Sequence, residues 1–298
     1  MRSRATGLLV LLLASVAAAG CGERDEPLGA DVSAYPVLVA DARGEEIALD
    51  DRPERIIALA PSVAELAGEL GAGERVVGVP AGATVRGALG APRITRPSGL
   101  VDIAAVVRLE PDLVLTASGT SADALAVVAR RTGAAVYVQP DRSVRDVLRA
   151  VHDLGFLLGE PARARMLAAS LRGELAAVEE AVRNRAPVRV FVDMGLLIAP
   201  PSDSLVADLV RRAGGQPLGT NRAGVPAEAC QVLALRPEVV LRIQESLGAL
   251  PDTQLACARR PSLDAPVVRI PGTLASRPGP RIADALDAIA RALHPDAF

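Results

Sequence analysis

Apolar and polar positions follow the same order in two blocks of the chain. From Arg55 the sequence reads RIIALAPSVAELAGELGAGERVVGV: an apolar run, a proline turn, a segment with apolar residues at helical spacing, a glycine stop and a second apolar run. From Arg189 it reads RVFVDMGLLIAPPSDSLVADLVRRAGGQPLG, again with an apolar run, a loop, an amphipathic segment and a glycine stop. Each block therefore predicts a buried strand followed by a helix that ends at glycine.

A shorter motif repeats after the start of each block. VVRLEPDLVL begins at Val106 and VLALRPEVVL begins at Val232, with the proline, the acid after it and the next apolar run in the same places. Pro111 and Pro237 cannot continue a helix, and the apolar run after each is typical of a buried parallel strand. Helices that alternate with such strands predict an α/β fold class, with two similar Rossmann-like lobes built on parallel sheets.

A helical segment separates the two lobes. Ser143 and Asp146 resemble a capping box, and Pro161 suits the first turn of a second helix. We predict this second helix over 161–184, about 36 Å long at 1.5 Å per residue. Its apolar residues form one stripe: Leu167, Leu171, Leu175, Val178 and Val182. A long rigid connecting helix would permit small closing motions of the lobes and oppose wide hinge opening.

The N-terminus predicts export. MRSRATGLLVLLLASVAAAGCGE has two arginines, an apolar stretch too short to span a bilayer, and small residues up to Cys21, as in a secretory signal. Cys21 after Ala-Ala-Gly resembles the lipobox of bacterial lipoproteins, which predicts lipidation of Cys21 and an extracytoplasmic protein anchored to a membrane. The alternative is simple cleavage that leaves a free cysteine.

These features predict five segments. They are a lipoprotein signal peptide over 1–20, a tether and N-terminal segment over 21–52, an N-terminal α/β lobe over 53–142, connecting helices over 143–186 and a C-terminal α/β lobe over 187–298.

Composition narrows the possible partners. Half of the 298 residues are hydrophobic, enough for two cored lobes, but only two Tyr and three Phe are aromatic. All 33 basic residues are Arg, and the net charge of −2 comes with no basic block, which excludes a nucleic-acid partner. Cys230 and Cys257 could pair in an oxidising compartment if their Cα atoms came within about 7 Å, but we expect two buried thiols.

Several stretches together resemble the substrate-binding proteins of ABC importers, in the branch that takes up cobalamin, iron-siderophores and haem. They are PERIIALAPSVAELAGELGAGERVVGV, EPDLVL with RPEVVL, LVRRAGG and the tail RPGPRIADALDAIARALHPDAF, and the resemblance spans residues 53–298. It implies a monomer that captures a metal chelate or tetrapyrrole in a cleft between the lobes. It also implies delivery of that ligand to an ABC permease in the membrane, with no cofactor and no catalysis.

Ligands of such folds bind beyond the carboxyl ends of the parallel strands. The candidate contacts in the first lobe are Pro61, Ser62, Arg96, Ser98, Ser118 and Thr120, and those in the second lobe are Gly195, Arg242, Gln244 and Arg277. The three arginines are preferred because a guanidinium offers forked donors to carboxylate or catecholate oxygens. The alternative is that these arginines are solvated or paired with neighbouring acids.

The loops that carry these residues contain no aromatic side chain, although relatives that hold corrinoids usually line the cleft with aromatics. This favours an anionic iron chelate or haem and leaves a corrinoid open. His152 and His294 lie in no cluster with metal-ligand spacing, so no metal site is predicted. Tyr137 could ligate haem, but a tyrosine in AAVYVQ is more often a strand residue.

The surface that would dock on a permease departs from the family pattern. Relatives carry a glutamate seven residues before each motif proline, where this chain has Ala104 and Cys230. Asp102 and Glu228 stand nine residues before the prolines. They are either relocated docking contacts or helix N-terminal acids favoured by the helix dipole.

Two rival functions remain. An exported nucleotide-binding enzyme would need a G-x-G-x-x-G turn or a G-x-S-x-G elbow, and the sequence has neither in the required place. A binding lipoprotein that serves a sensor or scaffold without an importer is favoured by the missing glutamates.

Overall fold

Two four-stranded sheets, all of whose neighbouring strands are parallel, form the centres of the two lobes. The computed structural model describes residues 35–219, 227–244 and 265–298. The predicted signal peptide, the lipidation site Cys21 and Cys257 lie outside the described residues. The predicted α/β fold class with two parallel-sheet lobes is confirmed.

The first lobe begins with an antiparallel hairpin of β1 (Val37–Ala40) and β2 (Glu46–Leu49). Its parallel sheet has the order β4-β3-β5-β6. The strands are β3 (Ile56–Ala58), β4 (Val76–Gly78), β5 (Leu113–Ala117) and β6 (Ala135–Gln139), and the helices are α1 (Pro61–Glu69), α2 (Ile103–Arg108) and α3 (Ala122–Thr132). Strand β5 is buried along its whole length, as its continuous apolar run predicts.

The hairpin belongs structurally to the first lobe. The Asp41 carboxylate accepts a hydrogen bond from the backbone N–H of Val138 at 3.3 Å, and Arg43 Nη2 donates to the Val136 carbonyl at 3.0 Å. Residues 37–49 of the segment predicted as a tether are therefore ordered against β6.

The second lobe repeats the design. Its sheet has the order β10-β9-β7-β8. The strands are β7 (Val188–Asp193), β8 (Gly215–Leu218), β9 (Val239–Gln244) and β10 (Val267–Pro271), and the helices are α6 (Leu205–Arg212), α7 (Ala229–Ala234), α8 (Gly272–Ala275) and α9 (Ile282–Leu293).

The repeated motif forms the same clamp in both lobes. In the first lobe, Asp112 accepts the Arg55 N–H at 3.0 Å and Arg55 Nη2 donates to the Leu109 carbonyl at 2.7 Å. In the second, Glu238 accepts the Arg189 N–H at 2.8 Å and Arg189 Nη2 donates to the Leu235 carbonyl. We call these contacts the strand clamp, because they tie the end of the motif helix to the start of the neighbouring strand.

The residue before each motif proline adopts the same backbone conformation. Glu110 has φ 43° and Arg236 has φ 51°, both in the left-handed region. A left-handed residue after the last helical turn is a common way to end a helix. The helix therefore stops before the proline, and the chain turns directly into the buried strand.

Two helices connect the lobes: α4 (Val144–Leu157) and α5 (Pro161–Val182). The Ser143 hydroxyl caps α4 by accepting the Asp146 N–H at 3.1 Å, which is one half of the predicted capping box. Helix α5 has 22 residues and is about 33 Å long. Its predicted apolar stripe packs inward, with Leu167 partly buried and the other four residues buried. Within the described residues, no helix combines the length and apolar character needed to cross a membrane.

Candidate functional site

A polar contact joins the carboxyl edge of the first lobe's sheet to the segment between α8 and α9 of the second lobe. Helix α1 starts directly after β3 with Pro61 in its first turn, so that Ser62 lies at the helix N-terminus. The Ser62 hydroxyl donates to Gln139 Oε1 at 3.3 Å, and Gln139 Nε2 donates to the Pro278 carbonyl of the second lobe at 2.5 Å. Ser62 and Gln139 are buried. The structure therefore brings Pro61 and Ser62 to the cleft and partners Ser62 there.

An ion pair crosses between the lobes beside this contact. Arg277 Nη1 lies 3.0 Å from Glu65 Oε1, and Arg281 Nη2 lies 3.8 Å from the other oxygen of the same carboxylate. Glu65 belongs to α1 of the first lobe, whereas both arginines belong to the second. The predicted ligand contact Arg277 is thus engaged by a protein carboxylate, and Ser62 and Arg277 meet in one lobe-to-lobe contact.

Arg96 and Ser98 lie on an exposed loop at the rim of the first lobe. Arg93 pairs in parallel with Val79, directly after β4, and Thr95 pairs antiparallel with Val101. Between them the chain turns through 96–100, closed by the Arg96 N–H to Leu100 carbonyl bond at 2.9 Å. Among the described residues, no hydrogen bond or ion pair is made by the Arg96 guanidinium. Leu100 in the same loop is 61% exposed. Within the described part of the chain, this rim therefore has an unpaired Arg96 guanidinium next to the exposed side chain of Leu100.

Ser118 and Thr120 follow β5 on the same lobe. Ser118 donates its hydroxyl and its N–H to Asp141 Oδ2, at 2.5 Å and 3.2 Å. The Thr120 hydroxyl lies 2.6 Å from the buried Thr116 hydroxyl. Both predicted contacts are therefore at the carboxyl edge of the sheet, with protein partners that fix their side chains.

In the second lobe, the loop after β7 wraps around the carboxylate of Asp193. Asp193 Oδ1 accepts the N–H groups of Gly195 and Leu197 at 2.9 Å each, and Arg242 Nε lies 3.1 Å from Asp193 Oδ2. Gly195, Leu196 and Leu197 all have positive φ, at 111°, 54° and 58°. For the two leucines this conformation costs about 1–3 kcal/mol each. The contacts around Asp193 hold a strained loop in place.

Arg242, the second predicted arginine contact, lies in β9 opposite Asp193 and is 5% exposed. Its burial places the guanidinium beneath the loop rather than on its surface. Gln244 ends β9, and its side chain lies outside the described residues. The predictions of direct ligand contact for these two residues stay predictions.

The two acids proposed for docking occupy helix N-caps at matching places. Asp102 Oδ1 accepts the Ala105 N–H at 2.9 Å at the start of α2, and Glu228 is the N-cap of α7, where Gln231 reaches back to the Glu228 N–H at 3.2 Å. Both acids are exposed. They thus have a structural role, and each keeps a solvent-accessible carboxylate.

Cys230 is disulfide-bonded. The expectation of a buried free thiol at this position is therefore wrong. Its partner lies outside the described residues, since Cys230 is the single cysteine within them. Sequence spacing gave no distance between cysteines, which is the quantity that decides pairing.

The candidate haem and metal ligands lie away from the cleft. Tyr137 is fully buried in the first lobe, where its hydroxyl donates to Asp153 Oδ2 at 3.2 Å. Burial and the neighbouring Asp153 carboxylate raise the pKa of Tyr137 above its usual value. His152 packs edge-on against Phe156 on α4, and His294 lies near the Gly214 carbonyl. Within the described ranges, no group of three acidic, histidine or cysteine side chains has a metal-site arrangement.

Sequence reasoning missed the residues that partner the predicted ones. Asp141 follows the carboxyl end of β6, so the same strand-end rule could have found it. Asp193 is the last residue of β7, so the same rule could have found it too. Glu65 lies inside a helix, and nothing in the sequence marks it as the partner of a distant arginine. The strand-end rule also predicts the loop over 194–197 as a candidate ligand loop, but it selects Gly195 and not Leu196, because an exposed leucine has no chemical signature.

Comparison with known proteins adds three kinds of match. The family model described as "Periplasmic binding protein" matches residues 56–242. The uncharacterized ABC transporter substrate-binding lipoprotein YvrC of Bacillus subtilis is 22% identical, with 100% of this chain and 99% of YvrC covered. A cobalamin-binding protein of Halobacterium salinarum is 27% identical, over 87% of this chain and 74% of that protein.

Among solved structures, the periplasmic haem-binding protein RhuT from Roseiflexus sp. RS-1 is similar. It is 25% identical, covers 82% of this chain and 99% of its own, and superposes with a TM-score of 0.64. The family match includes parts of both lobes and the whole of the connector. Of the lobe-to-lobe contact, it includes Ser62, Glu65 and Gln139, whereas Arg277, Pro278 and Arg281 lie beyond its end.

Proposed function

Because the chain belongs to the periplasmic binding protein family, we propose that it is the extracytoplasmic substrate-binding component of an ABC importer. It captures an iron-siderophore, haem or corrinoid between its lobes and delivers it to a permease. The observation that carries this proposal is the family match, which includes parts of both lobes and the connecting helices. The protein binds its ligand without chemical turnover.

The exposed side chains near the cleft favour an anionic ligand that also has an apolar surface. Arg96 presents a guanidinium with no partner among the described residues, and Leu100 and Leu196 are 61% and 60% exposed at the strand ends of the two lobes. A guanidinium suits carboxylate or catecholate oxygens. A ferric siderophore or a haem with propionates meets both requirements. A corrinoid fits less well, because the described loops contain no aromatic side chain. The relatives' names, haem-binding for RhuT and cobalamin-binding for the Halobacterium protein, support a ligand in this range.

A lipid anchor at Cys21 fits the same function. The relative YvrC is named a lipoprotein, and its match covers this whole chain, including the signal-like segment. We propose that lipidated Cys21 tethers the protein to the periplasm-facing or outer surface of a membrane. Residue 35, the first described residue, is 14 positions after Cys21, and a fully extended chain of that length spans at most about 45–50 Å.

Ligand binding is the first test. The full-length chain, purified in detergent, is titrated with hemin, cyanocobalamin and a ferric hydroxamate siderophore while its thermal unfolding and the ligand absorbance are followed. A ligand at 100 times its dissociation constant should stabilise the fold by about 2.7 kcal/mol. Failure of all three to bind would overturn the proposed ligand range.

A pair of arginine variants locates the site. Arg96→Ala should weaken binding of an anionic ligand at least about tenfold, or 1.4 kcal/mol. Arg131→Ala is the matched control, because Arg131 is an exposed arginine in the last turn of α3, at the opposite edge of the first lobe. Equal affinities in both variants would remove Arg96 from the site.

Docking on a permease is tested separately, since the missing glutamates at Ala104 and Cys230 favour the second candidate, a sensor or scaffold lipoprotein. Asp102→Ser and Glu228→Ser together remove two negative charges and keep residues that can cap α2 and α7. Capture of an ABC permease from membranes by the wild type, lost in the double variant, would support delivery through these acids. Capture of a different membrane protein by the ligand-loaded wild type would support the sensor function.

A further inference from the structure

We propose that Leu196 is an apolar ligand contact, and that Asp193 and Arg242 are positioning residues that hold it at the edge of the cleft. This inference rests on the proposed binding function and deepens it by assigning one contact in the second lobe. It also gives buried Arg242 a role through Asp193 instead of a direct contact with the ligand.

The positioning argument starts from Asp193. Asp193 is 2% exposed, and both of its carboxylate oxygens are used: one by the N–H groups of Gly195 and Leu197, the other by Arg242 Nε. Arg242 lies directly opposite Asp193 in the pairing of β9 with β7. An ionised carboxylate at this depth is tolerable because its charge and its lone pairs are matched. The pair therefore fixes the path of the loop that follows β7.

The loop holds its two leucines very differently. Leu197 is buried against Phe191 and Val232 and anchors the loop in the lobe core. Leu196 has a left-handed φ of 54°, which a glycine would adopt without strain, and it is still 60% exposed. Among the described residues, core packing does not explain Leu196, and its backbone conformation opposes a leucine. Contact with an apolar surface outside the protein does explain it.

The position of Leu196 identifies that surface. The loop begins at the carboxyl end of β7, the edge where ligands of parallel α/β sheets bind. Leu100 occupies the corresponding edge of the first lobe and is equally exposed. One aliphatic side chain on each lobe, in a cleft whose described loops have no aromatics, suits a ligand with an extended apolar face. The ligand class is therefore a macrocycle or chelate shell with aliphatic or ring surface.

The test uses whichever of hemin, cyanocobalamin and a ferric hydroxamate siderophore binds the wild-type chain. Leu196→Ala should weaken binding at least about tenfold, as expected for loss of a well-buried leucine contact. Leu196→Met keeps a flexible apolar chain and should stay within about threefold of the wild type. Leu38→Ala is the matched control, because Leu38 is 62% exposed on the outer face of β1 and should leave affinity unchanged.

A second variant separates strain from contact. Leu196→Gly removes both the apolar side chain and the strain of a left-handed leucine, so it should raise the melting temperature of the ligand-free protein and weaken binding. Leu38→Gly, in an ordinary strand conformation, should lower the melting temperature. An unchanged or lower melting temperature for Leu196→Gly would overturn the claim that the loop is held under strain.

The role of Asp193 is tested by a double-mutant cycle. Asp193→Asn should weaken binding in the wild-type background and add little in the Leu196→Ala background, because the carboxylate acts through Leu196. Full additivity would overturn the positioning role. If a ligand binds the wild type and Leu196→Ala with equal affinity, the inference is overturned and the proposed function stands. Failure of all three ligands to bind the wild type would instead overturn the proposed function.

Discussion

The two lobes are the same at one edge of their sheets and different at the other. At the amino ends of the central strands, Arg55 with Asp112 and Arg189 with Glu238 form equivalent strand clamps. At the carboxyl ends, the positions that correspond to Asp193 and Arg242 of the second lobe are Leu59 and Thr116 in the first. A charged pair in one lobe thus stands where the other has an apolar residue and a hydroxyl.

This difference shows how a duplicated architecture can carry an asymmetric site. The clamp lies away from the cleft and serves only to join a helix to a strand, so the same chemistry suits both lobes. The carboxyl edge faces the cleft, where the first lobe presents the short polar side chains of Ser118 and Thr120 and the second presents a strained loop with Leu196. The stabilising contacts are therefore repeated, and the proposed ligand contacts are not.

The largest expected effect separates the two carboxyl edges. Asp193→Ala removes a buried carboxylate from its guanidinium partner and from two N–H groups, and should cost about 3–5 kcal/mol of unfolding free energy. Thr116→Val in the first lobe removes one buried hydroxyl bond to Thr120 and should cost about 1 kcal/mol. Urea unfolding followed by circular dichroism measures both. Comparable losses would contradict the view that, of the two carboxyl edges, the one in the second lobe depends more on a buried charge.

The clamps provide the next comparison. Asp112 accepts the N–H groups of both Glu54 and Arg55, whereas among the described residues Glu238 accepts one backbone N–H, that of Arg189. Asp112→Ala should therefore cost about 2 kcal/mol and Glu238→Ala about 1 kcal/mol, measured in the same unfolding assay. Asp112→Asn keeps an acceptor oxygen and should fall between Asp112→Ala and the wild type. A larger loss for Glu238→Ala would show that the clamps are not equivalent in the way their geometry indicates.

The architecture could be predicted because it depends on local and repeated signals. Pro111 and Pro237 mark the same helix-to-strand turn, and the apolar stripe of α5 marks the buried face of the connector. These signals reflect backbone sterics and burial, which act on neighbouring residues along the chain. The hairpin over 37–49 was not predicted, because its strands have four residues each and only contacts with β6 stabilise them.

The site was predicted only in outline, because its contacts join residues that are far apart in the sequence. The strand-end rule placed Ser62, Ser118 and Gly195 at the carboxyl edges of the sheets, where the structure has them. It could not distinguish a free arginine from a paired one, because pairing depends on residues far away in sequence. Arg96 makes no ion pair within the described residues, whereas Arg277 is paired with Glu65, and these two arginines look alike in the sequence.

The contact between the lobes predicts a smaller effect. Glu65→Gln removes the charge that Arg277 and Arg281 share across the cleft, and should cost about 1–2 kcal/mol because the site is partly buried. Glu69→Gln is the control on the same helix, since the Glu69–Arg86 pair is more exposed, lies within the first lobe and has its atoms 3.6 Å apart. That variant should change stability by less than about 0.5 kcal/mol.

Solution scattering adds a second readout for these variants. The radius of gyration of Glu65→Gln should differ little from that of the wild type, because the 22-residue helix α5 still connects the lobes. A large expansion would mean that the ion pair, and not the connector, sets the distance between them.

The smallest effect concerns how each lobe meets the connecting helices. Asp153 of α4 contacts the first lobe by accepting a hydrogen bond from the Tyr137 hydroxyl. Burial raises the pKa of Asp153 above its usual value of 3.8. The folded protein therefore binds a proton at Asp153 more tightly than the unfolded chain does. The contribution of Asp153 to stability falls as the pH rises from 3.8 through the folded pKa, and stays at its lower value above that.

Asp153→Asn removes this titration and keeps an oxygen that can accept the Tyr137 hydroxyl. The variant should therefore melt at a slightly higher temperature than the wild type at pH 7, and this advantage should shrink as the pH is lowered towards 3.8. Glu179→Gln is the control for the second lobe, because Glu179 of the connecting helix α5 meets Arg212 of α6 at 2.6 Å. The pair is partly exposed, and its loss should cost less than about 1 kcal/mol. An Asp153→Asn advantage that grows towards acid would mean that the carboxylate is stabilised by Arg149 more than it is penalised by burial.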